Sequence, residues 1–566
     1  MPGERLGTVP ISLTAFFRQL YFEKQSSFKM NNIVSWPAGG KRYAAPAHVI
    51  SARLISLLVV ATLLGDYLFW EEAAGVNVLV CLAFLVSAHL ALLPRYAPVR
   101  RTAGFWVAVA GCLLSGGLVA WYGSGAAELA ALASGLLLVG LVNQSQLRLV
   151  GSALLTALVG VQRAVLLLVS NLHVPDGLED RLRRGWYYGR LLGLPLLALV
   201  VFQSLFAIAN PQYAALSVTV WNAVNDWLAH LLAAISVPHL LFLLLCAVVA
   251  TGALVTVPVH YFLDYESRFG EFVLRQRDRV ASFGVRHPDF EYSKHWALDL
   301  RKEWLAAVIS FGLLNVLLLL VNAVDIHWLW FGFKPAPGFD LTQFVHEGTY
   351  VLIFSIMLAA GIMLWFFRRN LNFYKPGLPL LRWGATLWVV QNAVLAVSVG
   401  LRNYYYIEAT ELAYKRIGVY GFLLLTLFGL GTVLLKIWQR RSAFSLVRLN
   451  SWAAYAVLLL LAAGNWEIWI AEYNLQPRFT RLNMGFLLTM PPRVLPVLAE
   501  RSALIDQAKE LVQESEDGFF HPISAAEARR QLRARLAAFR AEYPQRHWQS
   551  RTGAAEQAYK QVASHE

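Results

Sequence analysis

The chain has 566 residues, of which 57% are hydrophobic and 15% charged. An ordinary soluble domain carries roughly 25% charged residues, so this balance excludes a typical soluble globule and places most of the chain in lipid. Lys and Arg number 49 against 35 Asp and Glu, a net charge of +14. No nucleic-acid-binding motif accompanies that excess, which instead fits cytoplasmic loops lying against anionic headgroups.

Residues 1–50 read as a basic cytoplasmic arm. The first apolar run begins near Leu54 and no small-residue cleavage site follows it, so no secretory signal is predicted. Residues 1–29 show no helical pattern, which makes Met30 an alternative start. A spanning helix needs roughly 20 mostly apolar residues. Such segments occur at 54–71, 73–93, 104–122, 125–146, 191–209, 235–258, 304–325, 348–367, 383–401, 417–437 and 449–470. The fold class is therefore all-α: a polytopic helical bundle of about eleven spans over residues 51–470.

One further apolar run, 149–170, holds Gln162 and Arg163 near its centre. A central Arg costs about 2.5–3.5 kcal/mol on insertion. With the N-terminus inside and this run not spanning, Arg95, Arg100, Arg101, Arg181, Arg183, Arg184, Arg190, Arg368, Arg440 and Arg441 all fall on the cytoplasmic side. The run is thus expected to be re-entrant or buried at the cytoplasmic side. The segment 210–233 carries two Trp and is expected to lie along the outer interface.

The resulting parity puts residues 471–566 outside, as an extracytoplasmic helical tail. Within it, Ser502–Val512 carries Leu504, Ala508, Leu511 and Val512 on one helical face. Ser524 and Glu527 form a capping box. Its helix carries Leu532, Leu536 and Phe539 on one face and ends before Pro544, and the last 20 or so residues are polar and expected to be loose. The three cysteines each lie in apolar runs without a metal-ligand pattern, and no cofactor motif is present.

Polar groups inside a membrane are costly and so mark candidate sites. The candidate ligand-binding residues are His346, Glu347, Gln391, Asn392, Arg402, Tyr405, Tyr406, Glu408, Arg416 and Asn474, most at the outer ends of the last helices. Two outward arginines, Arg402 and Arg416, depart from the positive-inside trend. The bland alternative is an interface of belt tyrosines and paired charges.

Several motifs in one order carry a resemblance: VHEGTY at 345–350, FRRNLNF at 367–373, WVVQN at 388–392, RNYYYIEA at 402–409, YKRIGVY at 414–420, AEYNL at 471–475 and RLNMGFLLTM at 481–490. RLRRGWYYGRLLGLPLL and FAIANP at 206–211 add to them. Together, over roughly 180–500, they resemble the bacterial multi-pass membrane proteins grouped as a domain of unknown function (4153/4173). The family tends to read Tyr-Gly-Leu-Thr where this chain has Thr410-Glu411-Leu412-Ala413, and Asp where it has Asn483. The resemblance implies a multi-pass fold in the cytoplasmic (inner) membrane and brings no activity.

Three functions remain open. The first is a small-molecule permease or substrate-binding membrane protein, with an outward cavity taking a small polar ligand and reaching toward Gln391 and Asn392. The second is a membrane scaffold or signalling partner docking an extracytoplasmic protein through its tail. The third is an enzyme on a lipid-linked substrate at the outer leaflet. Membrane lipids are partners in every case.

Overall fold

The computed structural model describes residues 51–171, scattered positions from 191 to 222, 236–274 except 258, 300–331 and 333, 341–514 except 369 and 480, and 520–564, with 341–350 described by backbone alone. The basic arm, the arginines at 181–190 and most of 210–233 lie outside the described residues. The described positions of 191–209 are helical.

The helices before the tail, in chain order, are α1 (Ala52–Phe69), α2 (Val76–Leu92), α3 (Ala103–Tyr122), α4 (Gly125–Asn143), α5 (Val150–Asn171), α6 (Val237–Leu254), the short polar α7 (His260–Ser267), α8 (Leu300–Asp325), α9 (Leu341–Phe366), α10 (Leu378–Thr410), α11 (Tyr414–Gln439) and α12 (Ala443–Ala462). Hydroxyl side chains start many of them. Ser51 accepts from the Leu54 amide at 3.2 Å, Ser124 from Ala127 at 3.3 Å and Ser442 from Ser445 at 3.1 Å, each satisfying a first-turn N–H that lipid cannot solvate. Among the described residues nine helices are long and apolar enough to cross a membrane, and α2 is a shorter apolar one.

Two helix groups form. In the first, α1–α6 pack through small residues: Cys112, Ser115, Ala130, Ser134 and Ala153 are buried where helices meet. Without a hydrophobic drive inside lipid, close backbone approach of this kind supplies the attraction. In the second, α10 is central and packs against α8, α9 and α11, with Phe311, Trp388, Leu395 and Val399 buried. The helix α12 joins the groups, packing on α11 and α4 and donating or accepting one hydrogen bond between Tyr455 Oη and Ser134 Oγ at 2.8 Å.

The bundle has two unlike ends. One carries Arg95, Arg100, Arg101, Arg148, Arg440 and Arg441 in its turns; Arg148 and Arg448 reach the two oxygens of Glu271 there, at 3.3 and 3.1 Å. The other holds the turns at 70–75, 123–124 and 411–413, without Lys or Arg. The tail packs on this second end.

The run at 149–170 is one continuous helix, α5. Gly140 of α4 sits against the Ala153 carbonyl, so closely that a Cβ would lie 2.0 Å from it. Seven residues on, Gly160 lies beside Asn143, the last residue of α4, and Val161 beside Gly252. Ala164 is buried with Leu58, Ala88 and Leu254, all at the arginine-bearing end. Both contacts with α4 fall in its last turn, and by length and hydropathy α5 is itself one of the nine described helices long and apolar enough to cross a membrane. Gln162 and Arg163 are exposed.

The tail comprises α13 (Trp466–Asn474), β1 (Arg481–Asn483), α14 (Met484–Thr489), α15 (Leu495–Glu500), α16 (Ser502–Gln507), β2 (Glu510–Glu514), β3 (Phe520–Pro522), α17 (Ala525–Glu542) and α18 (Gly553–Ser564). The order is β1-β2-β3, β1 parallel and β3 antiparallel to β2. Three details correct the sequence reading. The helix expected over Ser502–Val512 stops at Gln507, and Leu511 and Val512 are buried in a strand instead. A small sheet therefore sits in an otherwise helical fold. The terminal residues form α18, because Ala555, Ala558 and Val562 supply a buried stripe at helical spacing. Of the expected capping box the N-cap half is present: Ser524 accepts from the Glu527 amide at 3.2 Å, while the Glu527 carboxylate accepts from Gln531 and pairs with Arg530, and α17 buries Leu532 and Phe539.

Because Gly140 admits no side chain against Ala153, Gly140→Val is expected to separate α4 from α5 and lower the melting temperature in detergent by several degrees, whereas Gly151→Ala, at an open position, leaves it unchanged.

Candidate functional site

The α10–α11 turn is built under constraint. Asn474 of α13 accepts from the Leu412 amide at 2.7 Å and donates back to the Leu412 carbonyl at 2.9 Å, while itself 1% exposed. Glu411 takes φ 89 and ψ 165, a region that favours glycine. It stands where the resembled family tends to place glycine.

Around this turn lies a cavity of about 670 Å³. Tyr406 and Glu408 of α10, Glu411, and Lys415 and Arg416 of α11 form one side; Arg478, Arg481, Val512 and Phe520 of the tail form the other. Four cations thus face two carboxylates. Arg478 meets Glu408 at 3.5 Å, and Tyr404 donates to the same carboxylate oxygen at 2.8 Å. Arg416 lies 4.4 Å over the Tyr406 ring and Arg481 5.1 Å over Phe520. Attraction to a ring face uses none of a guanidinium's N–H groups, which remain able to donate. Among the described residues, neither guanidinium has an ion-pair partner within 4.0 Å.

Burial pushes the Glu411 carboxyl up to about 7, against the opposing pull of the Asn483 amide and the charges of Arg416 and Arg481. The protonated form is therefore the one the fold favours. Its contribution is intact below the ordinary value of 4.5 and is lost as pH rises toward 7.

The structure divides the residues singled out in the sequence. Tyr406, Glu408 and Arg416 come together in the cavity. Arg402 does not: its Nη2 donates to Asp325 Oδ1 at 2.7 Å, with both residues buried between α10 and α8. Tyr405 donates to the Leu329 carbonyl at 3.1 Å. Gln391 donates to Asn315 at 2.7 Å, and its carbonyl accepts from Asn322 at 3.0 Å, so it links α10 to α8. Asn392 donates to the Trp388 carbonyl at 2.8 Å, within its own helix. Asn474 clamps the turn. The side chains of His346 and Glu347 lie outside the described residues. Sequence reasoning omitted Glu411, Lys415, Arg478 and Arg481 from the site; the tail arginines carried a signal, being basic on the side expected to be poor in basic residues.

A family model for a domain of unknown function, DUF4153, matches residues 54–500. The chain belongs to that family. The match takes in the membrane helices and the first tail segments, and ends before β2 and β3, so Val512 and Phe520 add a wall from outside the matched region. No curated protein and no solved structure matches the chain.

Removing one member of a buried ion pair leaves the other uncompensated, at a cost of about 3–5 kcal/mol. Arg402→Gln is accordingly expected to lower thermal stability sharply, and Arg402→Gln with Asp325→Asn to recover part of it, as read by melting in detergent. Glu411→Gly is expected to stabilise the protein by about 1 kcal/mol through relief of backbone strain, with the gain larger at pH 8 than at pH 5.

Proposed function

We propose that this multi-pass helical membrane protein is a binding protein for a small anionic ligand, taken in the cavity between the α10–α11 turn and the tail sheet. The observation that carries the reading is the charge of that cavity: Lys415, Arg416, Arg478 and Arg481 against Glu408 and a Glu411 that burial disfavours as an anion. Planar guanidinium groups with free edges suit phosphate or carboxylate, which accept two parallel hydrogen bonds.

Topology supports an outward placement. The helix α6 begins at the tail-bearing end, where His239 meets Asp66 of α1 at 2.9 Å, and ends beside Leu58 at the other. The helix α5 begins at the arginine-bearing end. An odd number of crossings must separate them, and the contacts of α5 favour 191–209 as the crossing and α5 as a helix laid along the inner ends. The count is then about eleven with the arginine-bearing end cytoplasmic, the tail extracytoplasmic and the cavity on the outer side. A cytoplasmic membrane of a bacterium fits this arrangement.

Passage through the membrane finds less support. Gln391 and Asn392 are 6% and 3% exposed and donate their amide N–H groups to Asn315 of α8 and to the Trp388 carbonyl of α10, beneath a cavity that does not include them. A tail acting mainly as a docking surface is also less favoured, since its apolar residues are buried together with Ile417 of α11. An anionic lipid headgroup and a soluble anion share the chemistry the cavity offers, and both stay within the reading.

Titration calorimetry of the purified protein with sulfate, phosphate and glycerol phosphate tests it. Saturable binding is expected, weakened at least tenfold by Arg416→Ala or Arg481→Ala and unchanged by Lys436→Met, a change at the opposite end of α11. Absence of saturable binding by all three anions would sink the proposal.

A further inference from the structure

Resting on the anion-binding reading, we propose that Glu411 is the cavity's own competing carboxylate, and that capture of an external anion is coupled to uptake of one proton by Glu411.

Three geometric observations carry this. First, Glu411 lies in the cavity wall beside the cations an anion would need. The groups facing it are Arg416 and Lys415 from α11, Glu408 from α10, and Arg478, Arg481 and the Asn483 amide from the tail. Second, its Oε1 is shielded from solvent and has no hydrogen-bond partner among the described residues. An ionised carboxylate would leave that oxygen's charge unsolvated, whereas a protonated carboxyl carries less charge and gains an O–H to donate. Third, the backbone cannot swing the group away. Leu412 is held at both its amide and its carbonyl by Asn474, and φ 89 at Glu411 is fixed by the closed turn. A poorly solvated carboxylate on a pinned backbone has protonation as its route to yield.

The electrostatics then follow. With Glu411 ionised, the cavity charge is +2; with Glu411 protonated it is +3. An incoming anion meets repulsion from the first state and none from Glu411 in the second. The anion and the proton therefore bind with mutual reinforcement, by linkage. The neutral range is where this matters, because burial already holds the carboxyl near 7 before any ligand arrives. The ligand class is narrowed accordingly to strong-acid anions such as phosphate or sulfate esters, which stay charged while Glu411 is neutral.

The test uses the full-length protein in detergent with sulfate as probe, since sulfate does not itself titrate between pH 6 and 9 (roughly the window of interest). Affinity measured by calorimetry is expected to be flat from pH 5.5 to 6.5 and to fall about tenfold per pH unit between pH 8 and 9. At pH 8, repeating the titration in buffers of different ionisation heat should give about one proton taken up per sulfate. Glu411→Gln should bind at pH 8 at least tenfold more tightly than the unaltered protein and show no slope. Glu411→Gly, which suits the backbone, serves if the glutamine variant folds poorly, and should behave alike. Sulfate binding whose affinity is constant from pH 6 to 9 overturns this inference while leaving anion binding in place. A slope that survives in both Glu411 variants assigns the proton elsewhere and equally overturns it. No binding of sulfate at any pH removes the anion-binding reading itself.

Discussion

Arg493 sits where the tail meets the bundle. It is 4% exposed, pairs with the equally buried Glu467, donates to the Tyr122 carbonyl at 2.7 Å and lies 5.2 Å over the Tyr122 ring. A buried charge is costly unless it is paired and hydrogen-bonded, as the two terminal nitrogens of Arg493 are. The end of α3, the start of α13 and the turn before α15 must therefore be brought together before this guanidinium can be covered. Everything on that end of the protein inherits the resulting register: α13 places Asn474 against the α10–α11 turn, and the chain leaving α13 runs into β1 and the second wall of the cavity. The cavity is thus a consequence of how the tail is pinned, more than a feature of any one helix.

Much of the membrane bundle was legible because lipid imposes a strict rule. Backbone groups must be satisfied within the segment, so hydropathy and length mark helices directly. The helices at 52–69, 103–122, 378–410 and 414–439 follow from that rule, and so does the unlike charge of the two ends. The tail obeys no such rule. Strands of three and five residues fall below any period that a sequence can display, and Leu511 and Val512 read equally well as a helical face until β1 and β3 are seen on either side of them.

The site shows a different limit. Polarity inside the membrane marks residues that need a partner, and says nothing of whether the partner is another helix or a ligand. Gln391 and Arg402 are costly in lipid, and α8 meets part of that cost: Asn315 accepts from the Gln391 amide, Asn322 donates to the Gln391 backbone carbonyl and Asp325 accepts from Arg402, while Gln391 Oε1 is buried without a partner among the described residues. These partners lie 69–77 residues away, and pairing across that separation is a property of packing. Glu411 shows the same limit from the other side: it lies in the polar run after α10, and nothing in the sequence marks it as buried. Its burial and its left-handed backbone depend on the tail that closes over it.

The contact between Val76 and Arg551 has a bearing on biosynthesis. The Ala73 amide donates to Ser550 across 477 positions of chain, and the Val76 amide to the Arg551 carbonyl at 3.2 Å. During synthesis the turn between α1 and α2 enters the membrane hundreds of residues before the ribosome reaches its covering segment. Over that interval the turn's amides face water or a transient companion. Truncation by a premature stop between α12 and Ser550 would yield a chain with all its membrane helices but without this cap. Such a species lacks the acceptors that the finished chain supplies to the Ala73 and Val76 amides, so the turn between α1 and α2 is completed by nearly the last residues of the chain.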